Sequence, residues 1–477
     1  MQTEIGVAPQ PQPEGSKSLW KSLVEAIRGS AGRDYTTGSI DRAIFMLSVP
    51  MVLEMCMESL FGVVDIFWVA KLGKDAMTAA ALTEATLAIL FAVAMGLSIG
   101  TTAIVARRTG EKRPEQASVA AVQGILAATA VSVIVGILGF FYAPHILQLM
   151  GASAHVVEQG QGFTRTIYGG SATILLLFLL NAVFRGSGDP ATAMRSLWLA
   201  NAINIVLNPL LIFGIGPFPA MGVTGSAVGT TIGRGVGVLY QLYILYGGQG
   251  RIKISAGQFR LDTEVMGRLL KLSLGAFLQY LIPTGSWTAL VRMTATFGSA
   301  SVAGYSLAVR ILIFALLPSW GMSNAAATLV GQNLGAGKPD RAEASAWRAG
   351  FFNMVFLGIV GAVFLIFAPS LVGWFVQDTE VQPIAITALR LFAAGNVFYA
   401  YGMVLAQSFS GAGDTQTPIY MNFFCYWMLQ IPLAYVLAFK IGLETKGVLL
   451  AVPIAEAALA VTSIVLFRRG KWKLKEV

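Results

Sequence analysis

Long apolar stretches, separated by short polar or glycine-rich segments, recur along the chain from Ile44 to Phe467. About 20 apolar residues span a bilayer as a helix, and about twelve stretches reach that length. They run roughly over 43–71, 76–106, 117–142, 163–185, 192–213, 222–247, 268–295, 301–330, 347–376, 384–409, 417–439 and 447–467. Barrel strands would alternate over about 10 residues. These stretches are longer and do not alternate, so the pattern predicts helices. The expected fold class is an all-α integral membrane protein.

The stretches repeat. Gly73 and Gly298, Gly96 and Gly321, Gly110 and Gly335, and Pro114 and Pro339 are pairs 225 residues apart. Arg185-Gly-Ser-Gly-Asp189 and Ser410-Gly-Ala-Gly-Asp414 match at the same offset, as do Leu47-Ser48 and Leu272-Ser273. One ungapped offset over that length predicts two homologous bundles of six transmembrane helices. Six is even, so both halves share one orientation, with a pseudo-twofold along the membrane normal. Secondary transporters use such repeats, with a midplane site between the halves. The expected organisation is a tail with a short amphipathic helix (1–38), an N-lobe (39–247), a linker (248–266), a C-lobe (267–468) and a basic tail (469–477).

Composition agrees. Of 477 residues, 55% are hydrophobic and only 12% charged, against about 25% charged in an average soluble domain. That excludes a soluble globular enzyme, which could not cover its surface, and a disordered chain. The net charge of +9 has a distribution that matters more than its size. With the N-terminus inside, the inner segments hold Arg28, Arg33 and Arg42, then Arg107, Arg108, Lys112 and Arg113, then Arg251 and Lys253, then Lys338 and Arg341, and finally Arg468 to Lys475. The outer loops 142–162 and 213–222 hold no Lys or Arg. The bias predicts an inner-membrane protein with both termini cytoplasmic. The balance is therefore topology signal, and no nucleic-acid partner is implied.

Residues 2–16 are rich in Pro and Gln and are expected to be disordered. Residues 18–29 place Leu19, Trp20, Leu23, Val24 and Ile27 on one helical face. Such a helix lies on the inner leaflet or packs on the protein's own loops; both readings stand. The first 38 residues are polar and do not read as a cleavable signal. Cys56 and Cys425 lie in apolar stretches, and two His, at 145 and 155, are too few for a histidine metal site. No metal and no cofactor beyond a coupling ion are expected. Gly335-Ala-Gly-Lys-Pro339 lacks phosphate-loop spacing, so no nucleotide partner is expected either.

Ionisable groups inside a bilayer are functional candidates. The first span holds Glu54, Glu58 and Asp65. Spacings of four and seven put all three within about 40° on one helix face. A carboxylate there must be neutral, paired or bound to a cation. Cation-coupled transport needs a group that moves between those states. Permanent pairing with a buried Arg is the competing account, and Arg234 in the sixth span is the evident partner. Glu84, near the outer end of the second span, is a further candidate. In the fifth span, Asn204 and Asn208 share a face and can act as cation ligands or as interhelical glue. Pro50, Pro209 and Pro318 lie in spans and should bend them. Asp189 and Asp414 should cap helices. In the second half, Gln279, Pro283 and Leu290 replace Glu54, Glu58 and Asp65, and Glu456 is the one deep carboxylate.

Ser48-Val-Pro-Met-Val-Leu-Glu-Met-Cys-Met-Glu-Ser-Leu-Phe-Gly-Val-Val-Asp65 resembles the opening helix of multidrug and toxic compound extrusion (MATE) transporters. Val330-Gly-Gln-Asn-Leu-Gly-Ala-Gly-Lys-Pro-Asp-Arg-Ala342 is similar to that family's most recognisable loop. Leu207-Asn-Pro-Leu-Leu-Ile-Phe-Gly214, followed by Gly222-Val-Thr-Gly-Ser-Ala-Val-Gly-Thr230, fits as well. The resemblance covers roughly 38–470. It implies two six-helix lobes around a cleft that opens alternately to either side.

By that resemblance, Asp65 falls on the residue that binds the coupling cation or proton, and Pro50 on the proline where the helix bends. Asn204 and Thr230 fall on the same site. Asn208 departs, because many members have Asp there. Coupling would then rest on Asp65 alone or with Glu54, Glu58 or Glu84 as auxiliary carboxylates. The missing carboxylates at Gln279 and near Tyr399 make the chain more similar to the DinF-like branch.

The expected activity is therefore secondary efflux of small, amphipathic, mostly cationic organic compounds, driven by H⁺ or Na⁺. The expected state is a monomer among membrane lipids. The alternative is a lipid-linked oligosaccharide flippase of the same superfamily, which would want a cationic cavity. An integral membrane enzyme would need a nucleophile, base or metal cluster near the interface, and none is visible.

Overall fold

The computed structural model describes residues 19–29, 32–248 and 250–477. With no water to satisfy backbone N–H and C=O groups, long apolar segments close their hydrogen bonds internally as helices. The first half contains α1 (Leu19–Arg28), α2 (Ile40–Ala70), α3 (Lys74–Gly110), α4 (Pro114–Leu149), α5 (Ala154–Gly169), α6 (Ser171–Ser187), α7 (Pro190–Phe213) and α8 (Val223–Gly247). The second contains α9 (Thr263–Ala295), α10 (Ser299–Gly335), α11 (Pro339–Gly373), α12 (Val381–Gly411), α13 (Gln416–Asn422), α14 (Ile431–Tyr435) and α15 (Glu444–Arg468). No strand occurs among the described residues.

Ten helices among the described residues are long and apolar enough to cross a membrane. The pair α5–α6, bent by 41°, is an eleventh span. Helix α8 has the length of a twelfth, but Thr230, Thr231, Arg234 and Gln241 dilute its apolar character. The sequence-expected elements are thus all present, in two sets of six.

The two sets differ in detail. The fourth element is broken at Gly169–Ser171 in the first half, whereas its counterpart α12 runs unbroken for 31 residues. The fifth element of the second half, Gln416–Lys440, is only partly α-helical. Phe423–Gln430 and Val436–Lys440 are π-helical on either side of Ile431–Tyr435. Pro432 has no N–H to donate, which favours a local change of hydrogen-bond register. Pro50, Pro209 and Pro318 each sit inside a continuous helix. Asp189 caps α7, its Oδ1 accepting from the Thr192 N–H at 3.3 Å, and Asp414 does the same for Thr417 at 3.3 Å.

The two lobes meet at the end that carries Arg107, Arg108, Lys112, Lys338 and Arg341, here called the basic end. Helices α3 and α10 finish there on Gly110 and Gly335, which are repeat-related. A Cβ on Gly110 would lie 2.0 Å from the Gln332 carbonyl oxygen. One on Gly335 would lie 2.1 Å from that of Arg107. Only glycine lets these backbones touch, and the contact is made twice, once from each lobe.

The intervening segments are fastened rather than loose. Ile252 and Ile254 of the linker are buried. Ser118 donates to the Lys253 carbonyl at 2.9 Å and Gln123 to that of Arg260 at 2.8 Å. In the 469–477 tail, Trp472 is fully buried and stacks on Phe467 at 4.4 Å. Beyond it, Arg107 donates to the Lys475 carbonyl at 2.5 Å and Arg108 to that of Val477 at 3.0 Å. Lys473 meanwhile reaches Glu343 at 2.6 Å. The tail therefore touches both lobes. Helix α1 buries Ala26, while Trp20 stays 70% exposed. Its Glu25 pairs with Arg33 at 3.2 Å and Arg42 at 3.5 Å. It packs on the protein and still offers an apolar ring outward, so the two sequence readings are not exclusive. The segment 2–16, expected to be disordered, lies outside the described residues.

Because overpacking costs about 1–3 kcal/mol, Gly110→Ala and Gly335→Ala should each lower the thermal midpoint of the purified protein in detergent. An unchanged midpoint in both would show that the crossing helices do not need this approach.

Candidate functional site

Asp65 lies on the C-terminal half of α2, facing α7 and α8. On α7, Asn204 and Asn208 are one turn apart; on α8, Ser226 and Thr230 are one turn apart. The i, i+4 spacing turns both pairs toward the same seam. Asp65 Oδ1 accepts from Ser226 Oγ at 2.5 Å and from Asn208 Nδ2 at 2.8 Å. Asn204 Nδ2 donates to Asn208 Oδ1 at 3.2 Å and to Thr230 Oγ1 at 3.0 Å. Asn204, Asn208, Ser226 and Thr230 are all buried. The four sequence-predicted residues Asp65, Asn204, Asn208 and Thr230 are thus brought together.

Ser226 is the member that sequence reasoning missed. Its signal was its place in Thr224-Gly-Ser-Ala-Val-Gly-Thr230, one turn before Thr230. The geometry also explains Asn208. Its amide donates to the Asp65 carboxylate, which a second carboxylate could do only when protonated. The site carries one formal charge rather than two.

Glu54 and Glu58 do not join this cluster, although they share the helix face. Glu54 is 1% exposed, and its Oε1 accepts from Arg185 Nη1 at 2.7 Å and Asn181 Nδ2 at 2.9 Å. Arg234, the partner expected from sequence for these carboxylates, pairs with Glu58 at 3.6 Å. Arg185 stands at the end of the predicted span 163–185 and opens the repeated Arg-Gly-Ser-Gly-Asp stretch. It lies inside α6, which runs on to Ser187, and is buried. Both arginines therefore do neutralise α2 carboxylates, but through two separate pairs.

These pairs face a cavity between the lobes of about 420 Å³. Its walls include Glu54, Glu58, Glu84, Phe91, Phe178 and Trp320, and Asp65 is not among them. Glu84 is exposed there and has no ion pair or hydrogen bond among the described residues. It is the cavity's one carboxylate without a direct arginine ion pair, although the Arg310 charge acts on it from farther off. Among the described residues, no cluster of His, Cys, Asp and Glu could hold a metal.

The MatE family model matches residues 50–210 and 276–436, one copy per lobe. The chain is 23% identical over 445 residues to a probable multidrug resistance protein, YoeA, of Bacillus subtilis, covering 92% of this chain and 96% of that one. Among solved structures it is similar to a MOP superfamily transporter from Pyrococcus furiosus whose binding pocket is described as of reverse polarity. The TM-score is 0.86, at 25% identity, with 95% of this chain and 99% of that chain covered. It is also similar to the outward-facing conformation of a multidrug resistance MATE family transporter of the MOP superfamily. There the TM-score is 0.85, at 26% identity, with 93% and 98% covered. The chain belongs to the MatE family and is a multi-pass membrane protein.

Breaking a buried ion pair from one side costs about 3–5 kcal/mol, because it strands the other charge. Arg185→Gln should therefore sharply lower the thermal midpoint in detergent. Glu54→Gln in the same background should recover most of the loss. No recovery in the double variant would mean that Arg185 acts through other contacts.

Proposed function

We propose that this protein is a secondary efflux antiporter. It exports amphipathic, mostly cationic organic compounds through the interlobe cavity in exchange for H⁺ or Na⁺. It sits as a monomer in the cytoplasmic membrane with both termini inside. The observation that carries this reading is the hydrogen-bond set of Asp65, which ties α2 to α7 and α8 through Ser226 and Asn208. An ionised Asp65 accepts both bonds. Protonation turns one carboxyl oxygen into a donor, and a bound Na⁺ claims the same lone pairs. Either event changes how α2 docks on its neighbours, and a ligand that favours one docking shifts the population toward it.

The positive-inside rule makes the basic end cytoplasmic. The Gly110–Gly335 seal then closes the cytoplasmic side, in keeping with the outward-facing relative. The cavity lining holds Glu54, Glu58 and Glu84 but only one arginine, Arg185, and with Glu54 and Glu58 paired to Arg185 and Arg234, Glu84 leaves a surplus of negative charge. That balance favours cationic cargo over the anionic head of a lipid-linked oligosaccharide.

The decisive experiment is efflux of a fluorescent organic cation from proteoliposomes, with proton and sodium gradients imposed separately. Asp65→Asn should reduce gradient-driven efflux at least tenfold while expression and thermal midpoint survive. Drug resistance at wild-type level from Asp65→Asn would overturn the assignment. Glu84→Gln should weaken apparent affinity for monovalent organic cations severalfold and leave gradient dependence intact. An equal loss for neutral and cationic substrates would mean that Glu84 does not read charge.

A further inference from the structure

The second lobe holds a partly open chamber of about 250 Å³, walled in part by Tyr280, Trp287, Trp320, Tyr399, Met403 and Tyr426. Glu456 of α15 lines it and is 5% exposed. Its Oε1 accepts from the Tyr426 hydroxyl at 2.9 Å. Its Oε2 is buried and accepts nothing. Tyr426 itself comes from the π-helical stretch Phe423–Gln430, a distortion that recurs at functional sites.

The electrostatic setting differs from that of the other deep carboxylates. Glu54 and Glu58 each have an arginine, and Asp65 has two neutral donors. No Lys, Arg or His lines the chamber of Glu456. The polar neighbours are also engaged elsewhere. Gln279 donates to the Thr415 carbonyl at 3.0 Å and accepts from Ser410 at 3.2 Å, while Asn422 donates to the Gln279 carbonyl at 3.1 Å. A buried, unpaired carboxylate holds its charge only when a cation comes to it.

The walls select the kind of cation. A hard metal ion needs several oxygen ligands, and Glu456 is the chamber's single carboxylate. Among the described residues no metal-binding cluster exists. Aromatic faces on several sides instead favour a weakly hydrated organic ammonium, through cation–π attraction. The route is short. The chamber and the interlobe cavity share Tyr280, Thr284, Trp320 and Gln407 as lining. The rings of Tyr280 and Trp320 meet edge to face at 5.8 Å and form the partition.

We propose that this chamber is a second binding subsite, which holds the ammonium head of an organic monocation against Glu456 inside an aromatic cage. The proposal rests on the reading of the protein as an exporter of organic cations, and its test is independent of ion coupling. Purified protein in phosphatidylglycerol nanodiscs is titrated calorimetrically with benzyltrimethylammonium, with benzenesulfonate as the anionic control. The ammonium should bind and the sulfonate should not. Glu456→Gln should weaken the ammonium at least tenfold, a loss of about 1.4 kcal/mol. Trp287→Leu should weaken it severalfold, because Trp287 lines this chamber and not the interlobe cavity. Asp65→Asn should bind it as wild type does while losing gradient-driven efflux, so failure of the coupling reading is seen separately. Unchanged affinity in Trp287→Leu at a wild-type thermal midpoint overturns the proposal, even if Glu456→Gln does not fold. Intact affinity with lost coupled efflux in Glu456→Gln also overturns it, because Glu456 would then be a coupling group.

Discussion

Two backbones touch where α3 and α10 end, and the arrangement of the lobes depends on that contact. A side chain at Gly110 or Gly335 would stand inside the opposite carbonyl. Its absence lets the lobes close at the basic end and leaves the space between them elsewhere. The interlobe cavity, the ion pairs that face it and the partition of Tyr280 and Trp320 all follow from this approach. Repetition of the sequence makes the contact symmetric: each lobe supplies one glycine and one carbonyl.

The apolar surroundings then set one problem for the buried acidic side chains, and Glu54, Glu58, Asp65 and Glu456 meet it in three ways. Glu54 and Glu58 are matched by arginines on α6 and α8. Such pairs tie α2 to those helices. Asp65 is held by a hydroxyl and an amide, donors that stabilise a charge without cancelling it. Glu456 has one phenol and an open side. The order runs from ion-paired to held by neutral donors to open on one side. Charge pairing, not depth alone, is what distinguishes these carboxylates from one another.

Much of this was legible in the sequence. Hydrophobic runs gave the helices, and the constant offset gave the two lobes. The resemblance to MATE transporters put Asp65, Asn204 and Thr230 in one N-lobe cluster, and the one-turn spacing of Asn204 and Asn208 agreed with it. The remainder fails for identifiable reasons. Ser226 sits among glycines, where a small polar residue looks like packing. Arg185 precedes a Gly-Ser-Gly-Asp turn, and its burial depends on α6 ending two residues later, which hydropathy cannot resolve. The shared face of Glu54, Glu58 and Asp65 suggested one site. Helix α2 is long enough to pass different neighbours along one face, so a common face does not mean a common partner. The break at Gly169–Ser171 and the π-helical stretches reflect packing and hydrogen-bond register, which periodicity does not encode.

The tail from Arg469 to Val477 acts as a gauge of the gap between the lobes. Trp472 is anchored to its own lobe by stacking on Phe467, while the carbonyls of Lys475 and Val477 are held by Arg107 and Arg108 of the other. Such a strap spans only one separation. Any parting of the lobes at the basic end must release one attachment before the other. Both attachments are shielded: the stacked indole is fully buried, the Arg108 side chain is 18% exposed and Val477 is itself buried. Parting on the arginine side would leave the tail on the C-lobe and free Arg107 and Arg108 to meet whatever stands at the newly opened mouth.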